Sequence, residues 1–460
     1  LASLQAEVSG FDLADVAART GVEDALIIEA ARLFASGPKG TAITGTGPEM
    51  GAHPNLTQHL VSSLNIVCGR FYRAGDRLPN PGMLSPPSPK VAQVADVAVA
   101  WGRGERCRVR PDLGELVTPG RLGPSREMPT AQLADEILTP GEGQVKALFV
   151  IAGNPIMAWP DQEKALAAMK GLELLVCIDP YISATAELAD YVLAPKLTLE
   201  REDVTLLSDA WYEKPYSQYS RAVIESEHDV IEEWELYWAI ADRMNLEINI
   251  GRSVIPNQPK PEKFDLLKAI TNGSRVDLDW LRDNPGGHIF EDVVSEVQPG
   301  PEGSVSKLKL YPDGVEEEFA ELRAEPGLNA DFPHLLIGFR SKYVLNSFGH
   351  NLPVLKKKSG TTNPAHLHPA DLAALGIEDD DEVQIASAHG QISAIVKADA
   401  KIKPGVIAMH HCWGLSPDKQ GSVRENGANT NLLVSSESDT QRYTGMTRSS
   451  SIPVRIKKSA

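Results

Sequence analysis

Between residues 146 and 193 the order of apolar runs, turns and one amphipathic stretch leaves little choice of fold. Residues 146–152 are a continuous apolar run, Gly153-Asn154-Pro155 is a turn, and 161–170 carries apolar residues at helical spacing. A second apolar run, 172–178, ends at Asp179-Pro180. Ser183 stands where it caps a short helix running to Asp190, and Tyr191-Val192-Leu193 reads as a third strand. Two wholly apolar strands joined by a helix require a parallel sheet covered on both faces, with a right-handed crossover.

The flanking regions add two further units. Thr20-Gly21-Val22-Glu23 has the capping-box pattern, followed by Ala25, Leu26, Ala30, Leu33 and Phe34 at helical spacing. Gly37-Pro38-Lys39-Gly40 stops that helix, and 41–44 is a short strand candidate. The glycine-rich turn 45–51 then leads into a helix over 56–67. From 75 to 143 the chain is rich in Pro and Gly and predicts an irregular covering segment with one helix at 130–138. A long helix over 229–244 sets Trp234 and Trp238 on one side. Beyond Asp331 the pattern changes to strand candidates at 334–340, 381–387, 391–397 and 453–456, around a helix at 369–375 with Pro in its first turn. Short strands at close spacing predict a compact β-barrel. The fold class expected is thus α/β, doubly wound with a mainly parallel sheet, then a C-terminal barrel. The expected divisions are 1–80, 81–325 and 326–460.

Charge and cysteine content narrow the function. With 45 Lys and Arg against 62 Asp and Glu, the 460-residue chain has a formal charge of -17, which argues against a nucleic-acid partner. The longest uncharged apolar stretch, near 147–159, is too short and too broken to span a bilayer. Cys68, Cys107, Cys177 and Cys412 form no C-x-x-C pair and read as free thiols of a reducing compartment, which favours the cytoplasm, with the periplasm as the alternative if a signal lies in a missing N-terminal portion.

In an open parallel sheet, ligands bind outside the carboxyl ends of the strands. Gly153 lets a phosphate approach the backbone and Asn154 offers a carboxamide. Asp179, one βαβ unit on, supplies a carboxylate for a guanine edge or a ribose hydroxyl. Each alone is a turn residue; together they mark a candidate nucleotide site. The turn at Gly45 has Met50 in place of the third glycine of a dinucleotide fingerprint, so it is weaker. His366-x-His368 and His410-His411-Cys412 count donors enough for zinc, yet adjacent strand residues point oppositely. These histidines read as capping and core residues, and no metal ligand or catalytic side chain is assigned.

Two blocks resemble a known family. The run over 147–201, with its strand–GNP–helix–strand–Asp unit and the stretch T-A-E-L-A-D-Y-V-L-A-P, is similar to the molybdopterin oxidoreductases of the dimethyl sulfoxide reductase type. The run over 366–414 is similar to that family's C-terminal dinucleotide-binding domain, a double-psi β-barrel. The resemblance implies two molybdopterin guanine dinucleotides sharing one molybdenum or tungsten. It carries dinucleotide contacts onto Thr46, Gly47 and Met50 of the glycine turn, Gly153 and Asn154 beside the pyrophosphate, and Asp179 at guanine. It adds Arg201 near the nucleotide and Glu233 before Trp234. It places the loop from Gly338 through Arg340 to Ser347 at the pterin, with His411, Trp413 and Asn429 on the same side.

Departures from the family pattern shape the expectation. The Cys-rich segment for a 4Fe–4S cluster and the metal-ligating residue have no counterpart here, so they are expected in an N-terminal portion outside this chain. Asp380 takes a turn position that is usually Gly, which Asp tolerates better than most residues. The implied function is two-electron, oxygen-atom or hydride redox chemistry on a small-molecule substrate, with room for an electron-transfer subunit. The alternative is a metal-free scaffold of the same fold, as in the large iron–sulfur subunit of respiratory complex I.

Overall fold

The computed structural model describes residues 1–92, 107–110, 128–250, 253–303, 307–442 and 444–459, with the backbone of short strands between 101 and 124. After a short opening helix, Ala2–Val8, come helices α1 (Leu13–Thr20), α2 (Asp24–Ser36) and α3 (Pro54–Val67). The expected capping box does not form. Thr20 is the last residue of α1, its hydroxyl donates back to the Val16 carbonyl at 2.8 Å, and Gly21 ends the helix at φ 64. A left-handed glycine one residue on commits the threonine to the helix behind it rather than the one ahead. Residues 41–44 are extended but join no ladder. The Asn65 carboxamide takes the place of a partner strand, accepting from Ala42 N–H and donating to Ala42 C=O, both at 2.8 Å. Leu33 and Ile43 remain 73% and 83% exposed on this side. The inner side of α3 packs Leu56 with Leu4, Val315 and Phe319.

The βαβ unit forms as its sequence dictates. Strand β1 (Ala147–Ile151), helix α4 (Gln162–Gly171), β2 (Leu174–Ile178) and β3 (Tyr191–Leu193) make a parallel sheet in the order β1-β2-β3. Phe149 pairs with Val176 and Ile178 with Leu193. In β2, Leu175, Val176, Cys177 and Ile178 alternate between faces yet all are buried, as a central parallel strand requires. Ala165, Leu166 and Met169 of α4 cover one face. Each fully buried side chain of this size contributes roughly 1.5–3 kcal/mol. On the other side, Phe149 meets Tyr237 of α5 (Glu233–Met244), ring centroids 6.0 Å apart. The Pro-rich segment is anchored by Asp209, 2% exposed, whose Oδ2 accepts from Met83 N–H and Leu84 N–H at 2.6 Å each.

The C-terminal region is a closed six-stranded barrel of β4 (His334–Gly338), β5 (Ala365–Leu367), β6 (Glu382–Ala386), β7 (Gln391–Ala398), β8 (Val406–Met409) and β9 (Ile452–Lys458), in the order β4-β8-β5-β7-β6-β9. The pairs β4-β8 and β5-β7 are parallel and the others antiparallel. Leu367, Val383, Ile385, Ile407 and Val454 fill its interior with no exposed surface. Helix Pro369–Leu375 begins with Pro as expected and is capped by His368, whose Nδ1 accepts from Ala370 N–H at 3.1 Å. Asp380 adopts φ 70.

Barrel and sheet dock through backbone and amide groups. Asp161 N–H donates to the carbonyls of Asn431 and Val434, the Asn431 carboxamide donates to Met157 C=O at 3.0 Å, and Gln162 donates to Leu415 C=O. Cys412, carried by the barrel, lies in the hydrophobic cluster of the sheet. Among the described residues no helix is long and apolar enough to cross a membrane.

Candidate functional site

The carboxyl ends of β1 and β2 face the docked barrel across a cavity of about 460 Å³. Gly153, Asn154 and Asp179 line it from the sheet, and Ser347, His350 and Trp413 from the barrel. Parallel strands bring both sheet loops to one edge, because each crossover returns the chain to the same end. Gly414 is required at the barrel rim: at φ 90, an added Cβ would sit 2.7 Å from Asn429 N.

Asn154 is held by a residue the sequence reading did not single out. Thr185 is fully buried, and its hydroxyl donates to Asn154 Oδ1 at 2.8 Å while accepting from Ile156 N–H at 3.2 Å. A hydroxyl has one proton, so its donation fixes which half of the Asn154 carboxamide is used internally. The NH2 half is then left for a ligand. Asp179 forms a local turn in which Oδ1 accepts from Tyr181 N–H at 2.9 Å. Among the described residues nothing donates to Oδ2. Burial first, and then the Asp179 charge, push the Cys177 thiol up to about 11.

The barrel wall holds polar atoms without partners. His350 and Trp413 meet edge to face, ring centroids 4.3 Å apart and planes at 87°. Trp413 is 4% exposed. Its Nε1 and His350 Nε2 are buried with no hydrogen-bond partner among the described residues. Burial holds His350 below the usual histidine range, against the nearby carbonyls of Asn346 and Cys412. An unsatisfied buried donor costs about 1–3 kcal/mol, so a ligand that pairs it recovers that cost.

Arg340 and His411 line a small neighbouring pocket that shares Trp413 with the main cavity. Arg340 Nη1 lies 2.8 Å from Asn346 Oδ1 and 3.1 Å from His411 Nε2. His411 Nε2 also lies 3.0 Å from Asn346 Oδ1, so the ring nitrogen sits between a guanidinium donor and an amide acceptor, and its tautomer decides which it serves. Burial, then the charges of Arg340 and His410, keep His411 below its usual range.

The remaining expected residues lie elsewhere. Thr46 and Gly47 begin the short helix Thr46–Glu49, and Met50 lines a second cavity of about 330 Å³ together with Trp159, Asn431 and Thr447. Met50 C=O accepts from Ser449 N–H and Ser450 N–H, so the glycine turn faces the C-terminal segment. Arg201 and Glu233 pair with each other at 3.1 Å. Gly338 ends β4, opposite Met409. Asn429 is 3% exposed, accepts from Asn431 N–H at 3.0 Å and donates to Met157 C=O at 3.4 Å, clamping the barrel to the sheet. His366 pairs with Asp399 at 3.2 Å and His410 with Phe339 C=O at 2.8 Å. Thr185, His350 and Lys356 went unnoticed in sequence, although Thr185 sits in the T-A-E-L-A-D stretch and His350 four residues after Asn346.

Comparison with known proteins agrees with this architecture. Residues 43–243 match the family described as Molybdopterin oxidoreductase, and 335–452 match the Molydopterin dinucleotide binding domain. The chain belongs to the molybdopterin oxidoreductase family, with homologues among the dimethyl sulfoxide reductases. It is 25% identical over 303 residues to acetylene hydratase of Syntrophotalea acetylenica, covering 60% of this chain and 38% of that protein. It is 22% identical to trimethylamine-N-oxide reductase of Haemophilus influenzae over 61% of this chain and 39% of that protein. It is 25% identical to NADPH-Fe(3+) oxidoreductase subunit alpha of Geobacter sulfurreducens over 90% of this chain and 44% of that protein. The chain thus spans about two fifths of the length of these curated relatives. The solved structure of acetylene hydratase from Pelobacter acetylenicus superimposes on 99% of this chain and 66% of its own, with a TM-score of 0.74 and 20% identity. That likeness shows the fold.

The cofactor of these domains is molybdenum bis(molybdopterin guanine dinucleotide). The residues present fit a dinucleotide arm: one cavity is lined by a carboxylate with an open oxygen and by an amide whose oxygen is held internally, leaving its donors for a ligand. Among the described residues no group of three or more His, Cys, Asp or Glu could hold a metal.

Proposed function

We propose that this chain is the cofactor-holding C-terminal part of a molybdenum- or tungsten-dependent oxidoreductase acting on a small molecule. The observation that carries this reading is the single cavity that Gly153, Asn154 and Asp179 line from the sheet and Ser347 and Trp413 from the barrel. Asp179 is suited to guanine: Oδ2 and the spare lone pair of Oδ1 can accept from the N1–H and N2–H edge, the geometry in which a carboxylate binds most strongly. Asn154 offers its NH2 to the adjoining phosphate or ribose, and Gly153 lets the backbone come close.

A second dinucleotide would lie along the glycine turn, with Thr46, Gly47 and Met50 beside the second cavity. Arg340, His411, Ser347 and the end of β4 at Gly338 form the candidate pterin side, where an imidazole and a guanidinium offer polar groups to a pterin ring. Arg201 and Glu233 would contribute as an ion pair, and Asn429 by holding the barrel in place. When bound, the metal and its dithiolene supply the two-electron chemistry, and the protein's part is to bind, orient and exclude water. Several relatives are named as subunits, which supports an electron-transfer partner for this chain too. The acidic balance and free cysteines favour the cytoplasm.

Metal and pterin analysis tests the proposal. Protein purified from a host that makes the cofactor should carry molybdenum or tungsten and release a fluorescent oxidised pterin, and Asp179→Ala should be depleted in both. A correctly folded wild type free of metal and pterin would contradict it and favour the scaffold reading.

A further inference from the structure

The segment that follows the first barrel strand gathers positive charge on an acidic molecule. Between 332 and 370 the chain has Arg340, Lys342, Lys356, Lys357 and Lys358 and no Asp or Glu, although the net charge of the whole is -17. Lys342 is exposed, as are the three lysines of the helix Pro353–Ser359. The fold draws them together: Lys342 Nζ and Lys358 Nζ stand 5.9 Å and 5.4 Å from the ring centre of the same Tyr343. None of these four lysines has an ion pair among the described residues. Exposed lysines elsewhere do meet carboxylates, as Lys170 meets Asp418 and Lys268 meets Asp279. Like charges gathered without counter-charges repel one another, and an anionic partner relieves that repulsion.

Apolar side chains are set among these cations. Leu345 and Phe348 exchange backbone hydrogen bonds of 3.0 Å and 2.8 Å across a tight turn, and are 61% and 52% exposed. Val354 is 70% exposed and stands three and four residues before Lys357 and Lys358, hence on their side of the helix. Gly349 joins turn to helix: an added Cβ would lie 2.9 Å from the Tyr343 carbonyl oxygen and 3.5 Å from Leu355 Cδ1.

Cations around exposed apolar residues are the make-up of a protein docking face. We propose that this face binds a separate protein subunit that presents acidic side chains around an apolar centre. The extent of the positive field selects that occupant. A nucleic-acid duplex or an anionic bilayer carries charge well beyond the patch and would meet the acidic remainder of the molecule. At physiological salt, exposed charges more than about 8 Å apart are largely screened, so a compact acidic face feels the lysines and little else. The proposal is independent of which ligand the cavity holds.

Fluorescence anisotropy of a labelled helical peptide, with Glu on one face and Leu on the other, tests this face on the full chain. Wild type should bind the peptide, and raising salt from about 0.05 M to about 0.3 M should weaken binding by about tenfold. The triple variant Lys342→Glu, Lys357→Glu, Lys358→Glu should lose about tenfold or more, and Leu345→Ser with Val354→Ser about fivefold. All five side chains are exposed, so both variants should melt as wild type does. A wild type that ignores the peptide, a triple variant that binds as wild type does, or equal binding of a peptide with Ser in place of Leu would overturn the proposal. Tighter binding of a DNA duplex or of phosphatidylserine–phosphatidylcholine vesicles would overturn it in favour of those surfaces. Wild-type dimers in sedimentation that the triple variant abolishes would overturn it in favour of a second copy of this chain.

Discussion

The Thr185 hydroxyl and the Asn154 carboxamide are joined by a 2.8 Å hydrogen bond that decides which face of the amide the cavity sees. Thr185 is itself fixed by Ile156 N–H and has no exposed surface. Thr185→Val keeps the shape but leaves both the Ile156 N–H and Asn154 Oδ1 unpaired. We expect a stability loss of about 1–3 kcal/mol by denaturant titration. GDP binding should also weaken, because the amide is free to turn over. Thr185→Ser should restore both properties. A valine variant with wild-type stability and affinity would show that Asn154 is held by something else.

The strand-end rule pointed to Asn154 and Asp179 from one βαβ pattern, because position at the carboxyl edge follows from topology alone. Thr185, His350 and Lys356 escaped, since what they do depends on how the barrel docks onto the sheet. Arg201 and Glu233 looked like separate cofactor contacts, and their 3.1 Å pairing is a tertiary fact. The barrel strands Ala365–Leu367 and Val406–Met409 carry only three and four residues, too few for a period to be visible. At 41–44 the opposite occurred: a good strand sequence stayed outside any ladder, because Asn65 supplies the hydrogen bonds that a neighbour would.

The thiols should differ sharply in reactivity. Cys177 and Cys412 are buried, and desolvation pushes each thiol up to about 11. Cys107 is buried too, whereas Cys68 is partly exposed. Iodoacetamide at pH 8 should label Cys68 alone in the folded protein and all four in denaturant, as read by mass spectrometry. Since the thiolate is the nucleophile, native labelling of Cys412 would contradict this packing.

Acid should weaken the barrel closure. The Lys458 ammonium, 2.6 Å away, and then the Glu378 N–H hold the Asp381 carboxyl below its usual range. A depressed carboxylate adds stability that is present above the unfolded-state value, about 4, and is lost as pH falls through the lower folded value. Asp381→Asn should therefore be less stable than wild type at neutral pH, and the gap should close below pH about 4. Lys458 is exposed and Asp381 partly so, and the gap should also shrink with added salt. A gap that stays constant from neutral to acid pH would show that Asp381 acts without its charge.

The most direct test of the central claim is a crystal structure of this chain with GDP. The account predicts the guanine edge against Asp179 and the Asn154 NH2 beside the ribose or first phosphate. Density for GDP outside the cavity, or a base with no contact to Asp179, would contradict it.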